Sequence, residues 1–262
     1  MKKFYAFIVL ICLSSPLFGG TEIHALVEGF SFERAWIDLL ATVDDGHVKI
    51  HFQGPWCQGA LIYDRESSQL TIVDDLRRTV LILTQENQAA LKLIGTVTSG
   101  KLISHIAGST PSAQKTFLLV KENVQAFFNG ASDLKKSAVL KSGFNCDDFQ
   151  AYCGGQKCRE VWVTGPESAG IDVEDFNTLR SLGHLFLDLI SSTLSQLGAD
   201  PTNIQQDLSS SIFPICEDLY ANGKHTGRFQ VIKIRSGTIN PGAFTPPSKY
   251  KILSLLDLMN GA

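Results

Sequence analysis

The sequence is short of charge. Aspartate, glutamate, lysine and arginine make up 19% of its 262 residues, below the roughly 25% of an average soluble domain. The 23 basic residues are outnumbered by 26 acidic ones, so the net charge is −3. No excess of base is left to neutralise phosphates, and nucleic acid is not expected as a partner. Beyond Leu13 no apolar run approaches the ~18 to 20 residues that a membrane-crossing helix needs, so no transmembrane segment is expected. HExxH and GxSxG are absent, which removes the zinc-protease and nucleophile-elbow signatures. There is no repeat of 20 to 50 residues and no low-complexity linker, so neither a solenoid nor tethered domains are expected. What remains is a hydrophobic fraction of 44%, enough for an ordinary core in one domain.

The N-terminus specifies a compartment. Lys2 and Lys3 precede an apolar run from Phe4 to Leu13, broken by Ser14, Ser15 and Pro16 ahead of Gly19 and Gly20. That is the layout of a secretory signal peptide over residues 1–20, followed by a single domain over 21–262. Cys12 follows Ile11 rather than the small residue of a lipid-modification site. Cleavage would remove two of the 23 basic residues and none of the 26 acidic ones, giving a net charge of −5. A periplasmic protein is expected.

From Glu22 to Thr84 short runs alternate with period two between turn residues, the pattern of an antiparallel meander. Asp44-Asp45-Gly46 is a strong hairpin signal, because these residues tolerate the positive φ of primed turns. The period then changes. Gln85 to Ala107 places Ala90, Ile94 and Val97, then Leu102, Ile103 and Ile106, on one helical side, and Phe117, Val120, Val124, Phe127 and Phe128 form a second stripe that ends at Asn129-Gly130. Together they predict a helical hairpin inserted at about 85–131.

Strand character returns at Ser137–Val139 and from Phe144 to Thr164. A four-residue loop, Gly154 to Lys157, would pair Cys153 with Cys158, Ala151 with Glu160 and Phe149 with Trp162 on one face. The longest helix starts near Asp172 and carries Phe176, Leu179, Leu182, Phe186, Leu189, Ile190 and Leu197, with Gly198 closing it. Asp200-Pro201 caps a short helix to about Leu208. Strands then follow at Ile215–Tyr220, Arg228–Ile234 and near Lys249–Leu255, the first two joined through Asn222-Gly223. Each helix has one apolar stripe and the sheet needs one covered face. The expected fold is therefore α+β: a strongly curved antiparallel sheet with helices covering its concave side.

Several patterns fall away on context. Gly95 to Lys101 fits the start of a phosphate-binding loop, but Leu102 stands where a hydroxyl would hold magnesium and the segment lies inside an apolar helix. His47 and His51 share a strand face about 13 Å apart, too far for one metal. His184 lies between apolar helix positions with no ligand spacing around it. Neither metal nor cofactor is expected.

Five cysteines remain after export: Cys57, Cys146, Cys153, Cys158 and Cys216. Cys153 and Cys158 close a hairpin at about the reach of a disulfide, and Cys146, an odd number of positions from Cys153, has Cys57 or Cys216 as candidate partner. The rival, a redox-active pair, lacks the CxxC spacing and the helix start that stabilise a thiolate.

The tail from Asn222 to Lys251, NGKHTGRFQVIKIRSGTINPGAFTPPSKYK, with Phe244, Pro246, Pro247 and Tyr250, resembles the closing strands of the LolA/LolB-like periplasmic proteins. The segments CREVWVT (Cys158–Thr164) and GALIYD (Gly59–Asp64) resemble an uncharacterised exported branch of the same group. The resemblance implies an open antiparallel half-barrel with helices over its concave apolar face, and a hydrophobic ligand there: a lipid acyl chain or lipoprotein in transit. The helical hairpin and the cysteines depart from that group.

Two non-enzymatic functions follow. One is a carrier or sensor that holds an acyl chain between the sheet, lined by Phe149 and Trp162, and a helical lid lined by Phe117, Phe127 and Phe186. The other is an envelope protein–protein interaction module whose core is filled.

Overall fold

The computed structural model describes residues 20–29, 36–55, 57–90, 92, 131–134, 139–200, 211–254 and 257. Residues 1–19 of the expected signal peptide, most of the expected helical hairpin, Phe117, Phe127 and the expected short helix after Asp200 lie outside them.

The described strands make one open sheet of thirteen. The first six, β1 (Thr21–Glu28), β2 (Trp36–Asp44), β3 (His47–Gln53), β4 (Gln58–Asp64), β5 (Gln69–Asp74) and β6 (Thr79–Leu83), form an antiparallel meander. A second antiparallel run follows: β9 (Phe144–Cys153), β10 (Gln156–Thr164), β11 (Phe213–Ala221) and β12 (Lys224–Ser236), with β7 (Ala131–Leu134) and β8 (Val139–Lys141) both pairing β9. The two runs join where β1 pairs β12, with Glu28 opposite Arg228. β13 (Lys251–Leu253) pairs parallel with β6, so the sheet is not antiparallel throughout as expected. Of the expected hairpin insertion, residues 85–90 are helical, whereas Ala131 already belongs to a strand.

Turn chemistry explains the hairpins. Asp45 and Gly46 (φ 46° and 78°), Asn222 and Gly223 (52° and 73°), and Gly154 and Gly155 (58° and 79°) all take the paired positive φ of a primed two-residue turn. The last case corrects the expected four-residue loop. Cys153 pairs Gln156 and a bulge takes up Cys158, so Ala151 meets Arg159, Phe149 meets Val161 and Trp162 meets Asp148. A shift of one residue reverses the face of every side chain. Phe149 and Trp162 therefore stand on opposite faces of the sheet, not side by side.

The inner face follows from period two. β1 buries Thr21, Ile23, Ala25 and Val27, and β3 buries Val48, Ile50 and Phe52. One long helix, α1 (Val173–Gln196), packs over β2 and β3 on this face. Asp172 is its N-cap, accepting from the Glu174 amide at 2.7 Å, and Gly198 (φ 73°) follows its C-cap Leu197. Phe176, Leu179, Leu182, Phe186 and Leu189 all join the main core. Burial of each such side chain contributes about 1.5–3 kcal/mol. Lys92 pairs with Asp188, tying the 85–90 helical stretch to α1.

The outer face of β4–β6 is covered by the C-terminal segment. Ala60, Ile62, Val73 and Val80 form a second buried cluster against Phe244 and Tyr250. The covering strap is anchored at three points: Lys49 Nζ donates to the Ala243 carbonyl at 2.8 Å, Tyr250 Oη donates to Asp75 Oδ1 at 2.8 Å, and the Lys251 amide donates to the Arg78 carbonyl at 3.0 Å. Gly59 is required beneath, since a Cβ there would stand 2.0 Å from the Val73 carbonyl oxygen.

Candidate functional site

Of the residues expected to line an acyl cavity, Phe186 and Trp162 belong to one packed core, whereas Phe149 stands on the opposite face of the sheet from Trp162. Phe186 is 4% exposed and part of the packed sheet–helix core, together with Phe52, Leu182 and Phe213. Trp162 belongs to the same buried core; in the ladders it lies opposite Asp148 and Cys216, with the Lys141 ammonium 3.8 Å above its ring. Phe149 is half-buried on the face that Trp162 does not share.

Among the cysteines, Cys153 and Cys158 are joined, with Cα atoms 5.7 Å apart, as the hairpin suggested. The bulge at Cys158 brings the two together across a register that would not otherwise pair them. The expected second bridge is absent: Cys57, Cys146 and Cys216 are free and buried. Cys146 and Cys216 are on β9 and β11 with β10 between them, so about two strand spacings of ~4.8 Å separate them laterally. Burial pushes the Cys57 thiol up to about 11 and the Cys216 thiol up to about 12, the opposite of what a reactive thiolate needs.

The outer face is where polar chemistry collects. Cross-strand pairing assembles it in rows. Lys233 of β12 lies opposite His24 of β1, His24 opposite Leu40 of β2, and Leu40 opposite His51 of β3. One pair over, Arg235 lies opposite Glu22. These side chains, with Asp38 and Gln53, line a recess of about 380 Å³. His24 Nε2 is 2.6 Å from Asp38 Oδ1, a diagonal contact between neighbouring strands. Trp36, Asp38 and Leu40 alternate outward on β2, and Trp36 and Leu40 are 44% and 39% exposed. Alternation alone could place each residue on a face. Only the β1–β12 pairing brings Glu22 and His24 beside Lys233 and Arg235, and nothing in the local pattern signals it. His51 lines this recess. His47 instead stacks on Phe244 of the strap, ring centres 5.4 Å apart.

The same face continues over β9–β12 as a polar network. Arg228 donates to both oxygens of Asp218, at 2.6 and 2.7 Å. Glu160 accepts from Lys157 at 2.7 Å, from Gln150 at 3.0 Å and from Tyr220 Oη at 3.2 Å. Burial would raise the Asp218 carboxyl, but Arg228 and then His225 outweigh it and hold the group below the ordinary carboxylate range. Asp148 is raised, by burial first and by Glu160 second. These bonds hold the strands together, and Asp148 Oδ1 is the one atom among them that is buried without a hydrogen-bond partner. Among the described residues no group of three or more histidine, cysteine, aspartate or glutamate side chains is arranged to hold a metal, and no helix is long and apolar enough to cross a membrane.

No family model matches the sequence, and no curated protein matches it. Among solved structures, an uncharacterised conserved protein from Thermus thermophilus is similar at TM-score 0.43 and 8% identity, covering 96% of this chain and 98% of the other. The MucA/MucB complex of Pseudomonas aeruginosa is similar at TM-score 0.39 and 9% identity, covering 96% and 63%. PNGF-II is similar at TM-score 0.37 and 7% identity, covering 92% and 32%. This chain thus spans under two thirds of the matched MucB chain and a third of PNGF-II. Likeness at this level assigns neither family nor function.

Proposed function

We propose that the protein is an exported, non-enzymatic interaction module that docks a partner protein on the outer face of β12, β1, β2 and β3. The observation that carries this reading is the division of the two faces. The inner face of β2 and β3 is filled by α1 with fully buried side chains, while the outer face of the same strands holds an open recess ringed by ionisable groups. Trp36 and Leu40 add exposed apolar area to that face, the combination of a large anchor and a polar surround that interfaces use. The Cys153–Cys158 bridge supports an oxidising compartment and hence export.

An acyl-chain carrier is the competing reading, and two measurements separate them. Delipidated protein should take up no fluorescent palmitate analogue; saturable uptake displaced by unlabelled palmitate would overturn the proposal. A photo-crosslinking residue at Leu40 should trap a discrete protein in the envelope of the producing cell. The same residue at Leu76, 63% exposed in the β5–β6 turn, should not. Equal trapping at both sites would remove the outer face from consideration.

A further inference from the structure

Taking that face as the docking surface, we infer that the recess receives an extended acidic segment of a protein partner, with carboxylates at alternate positions. Lys233 and Arg235 flank Ile234 on β12, so both project outward, two residues apart. That separation is about 6.8 Å along the strand, the interval at which any extended chain repeats its same-side side chains. Carboxylates at positions i and i+2 of a strand-like segment therefore match the two cations one to one.

The acids already present do not use these cations up. Asp38 is engaged by His24 at 2.6 Å. Glu22 is the ladder partner of Arg235, yet among the described residues neither Arg235 nor Lys233 makes an ion pair. Lys49, the next cation on β3, is turned to the Ala243 carbonyl of the strap. Between the imidazoles of His24 and His51, Leu40 supplies an apolar floor. With His24 and Asp38 taken up by each other, two cations without ion-pair partners among the described residues and the His51 imidazole stand against a single uncommitted carboxylate, and this makes the recess complementary to negative charge on a chain that is acidic overall.

The test is fluorescence anisotropy at low salt with two labelled, N-acetylated hexapeptides of one composition, Glu-Thr-Glu-Thr-Glu-Thr and Glu-Glu-Glu-Thr-Thr-Thr. The alternating peptide should bind at least 5-fold more tightly. The double variant Lys233→Ala/Arg235→Ala should lose at least 10-fold for it. Lys224→Ala/Lys251→Ala, which removes the same charge from exposed positions outside the recess, should stay within 2-fold. Urea midpoints of all three proteins verify folding. Equal affinity for the two peptides, equal loss in the two double variants, or binding of anionic phospholipid vesicles through Lys233 and Arg235 in place of peptide would overturn the inference. If crosslinking at Leu40 still trapped a partner, the docking face would stand and only its acidic chemistry would fall.

Discussion

Arg228 holds Asp218 with two parallel hydrogen bonds, from Nε and from a terminal nitrogen, directly across the β11–β12 ladder. Asp218 is 3% exposed and Arg228 is partly open to solvent. The fork geometry makes this a strong charge-assisted pair, and removing one partner strands a charge in a dry place. Arg228→Ala should cost about 2 kcal/mol, less than the ~3–5 kcal/mol of a fully enclosed pair. The carboxyl of Asp218 sits below its unfolded value, so its contribution is present above that value and is lost as pH falls through the folded one. Urea midpoints should therefore drop steeply below about pH 4 in the wild type and less steeply in Asp218→Asn. Identical acid slopes would refute the assignment.

Asp175, in the first turn of α1, is the opposite case. It is 7% exposed, and its Oδ2 is buried without a hydrogen-bond partner. Burial first, then Asp44, Asp172, Asp45 and Glu174, pushes its carboxyl up to about 6. A raised folded value means stability that is full below the unfolded value near 4 and is lost as pH rises toward 6. Asp175→Asn should gain about 1–2 kcal/mol at pH 7.5, and little at pH 4, with the benefit at N3 from the helix dipole deducted. A variant no more stable at neutral pH would show that water or a counter-ion already satisfies the group.

Thiol chemistry should divide the cysteines cleanly. Protein processed after residue 20 is expected to show three reactive thiols in denaturant, from Cys57, Cys146 and Cys216, and almost none when native, because all three are buried. Five would mean that the Cys153–Cys158 bridge does not form. Cys153→Ser/Cys158→Ser should cost about 2 kcal/mol or less, since the closed loop is short.

The strap over β4–β6 should matter to solubility as well as stability. Phe244→Ala is expected to lower stability by about 1–2 kcal/mol, below the full core value because Phe244 is only partly buried. It should also raise binding of a hydrophobic dye, as Ile62 and Val80 lose their cover. Unchanged dye fluorescence would mean that the segment lies on this face without sealing it.

Much of the local structure is legible in the residues themselves. The hairpins at Asp45-Gly46 and Asn222-Gly223 follow from turn chemistry, and α1 follows from its stripe between Asp172 and Gly198. The β9–β10 register was not legible, because Gly154-Gly155-Gln156-Lys157 reads equally well as a two-residue turn or a four-residue loop. The bulge at Cys158 that decides between them is a matter of strand pairing. Nor was the strap: Phe244 and Tyr250 serve by covering Ile62 and Val80, residues far away in sequence. The recess was least visible of all. Its side chains come from four strands at the two ends of the chain, and each taken alone is an ordinary outward-facing residue.

The pairing of β1 with β12 sets a timetable. Glu28 and Arg228 are 200 positions apart, and they meet in the middle of the sheet rather than at its edge. The first meander can form early from local contacts, but its N-terminal strand keeps one side unpaired until nearly the whole chain has emerged. Closure of so long a loop is slow, and the waiting strand is a place where a chaperone can hold the chain open. Under the export proposed above, that delay would let the sheet complete only after its last strands had arrived on the far side of the membrane.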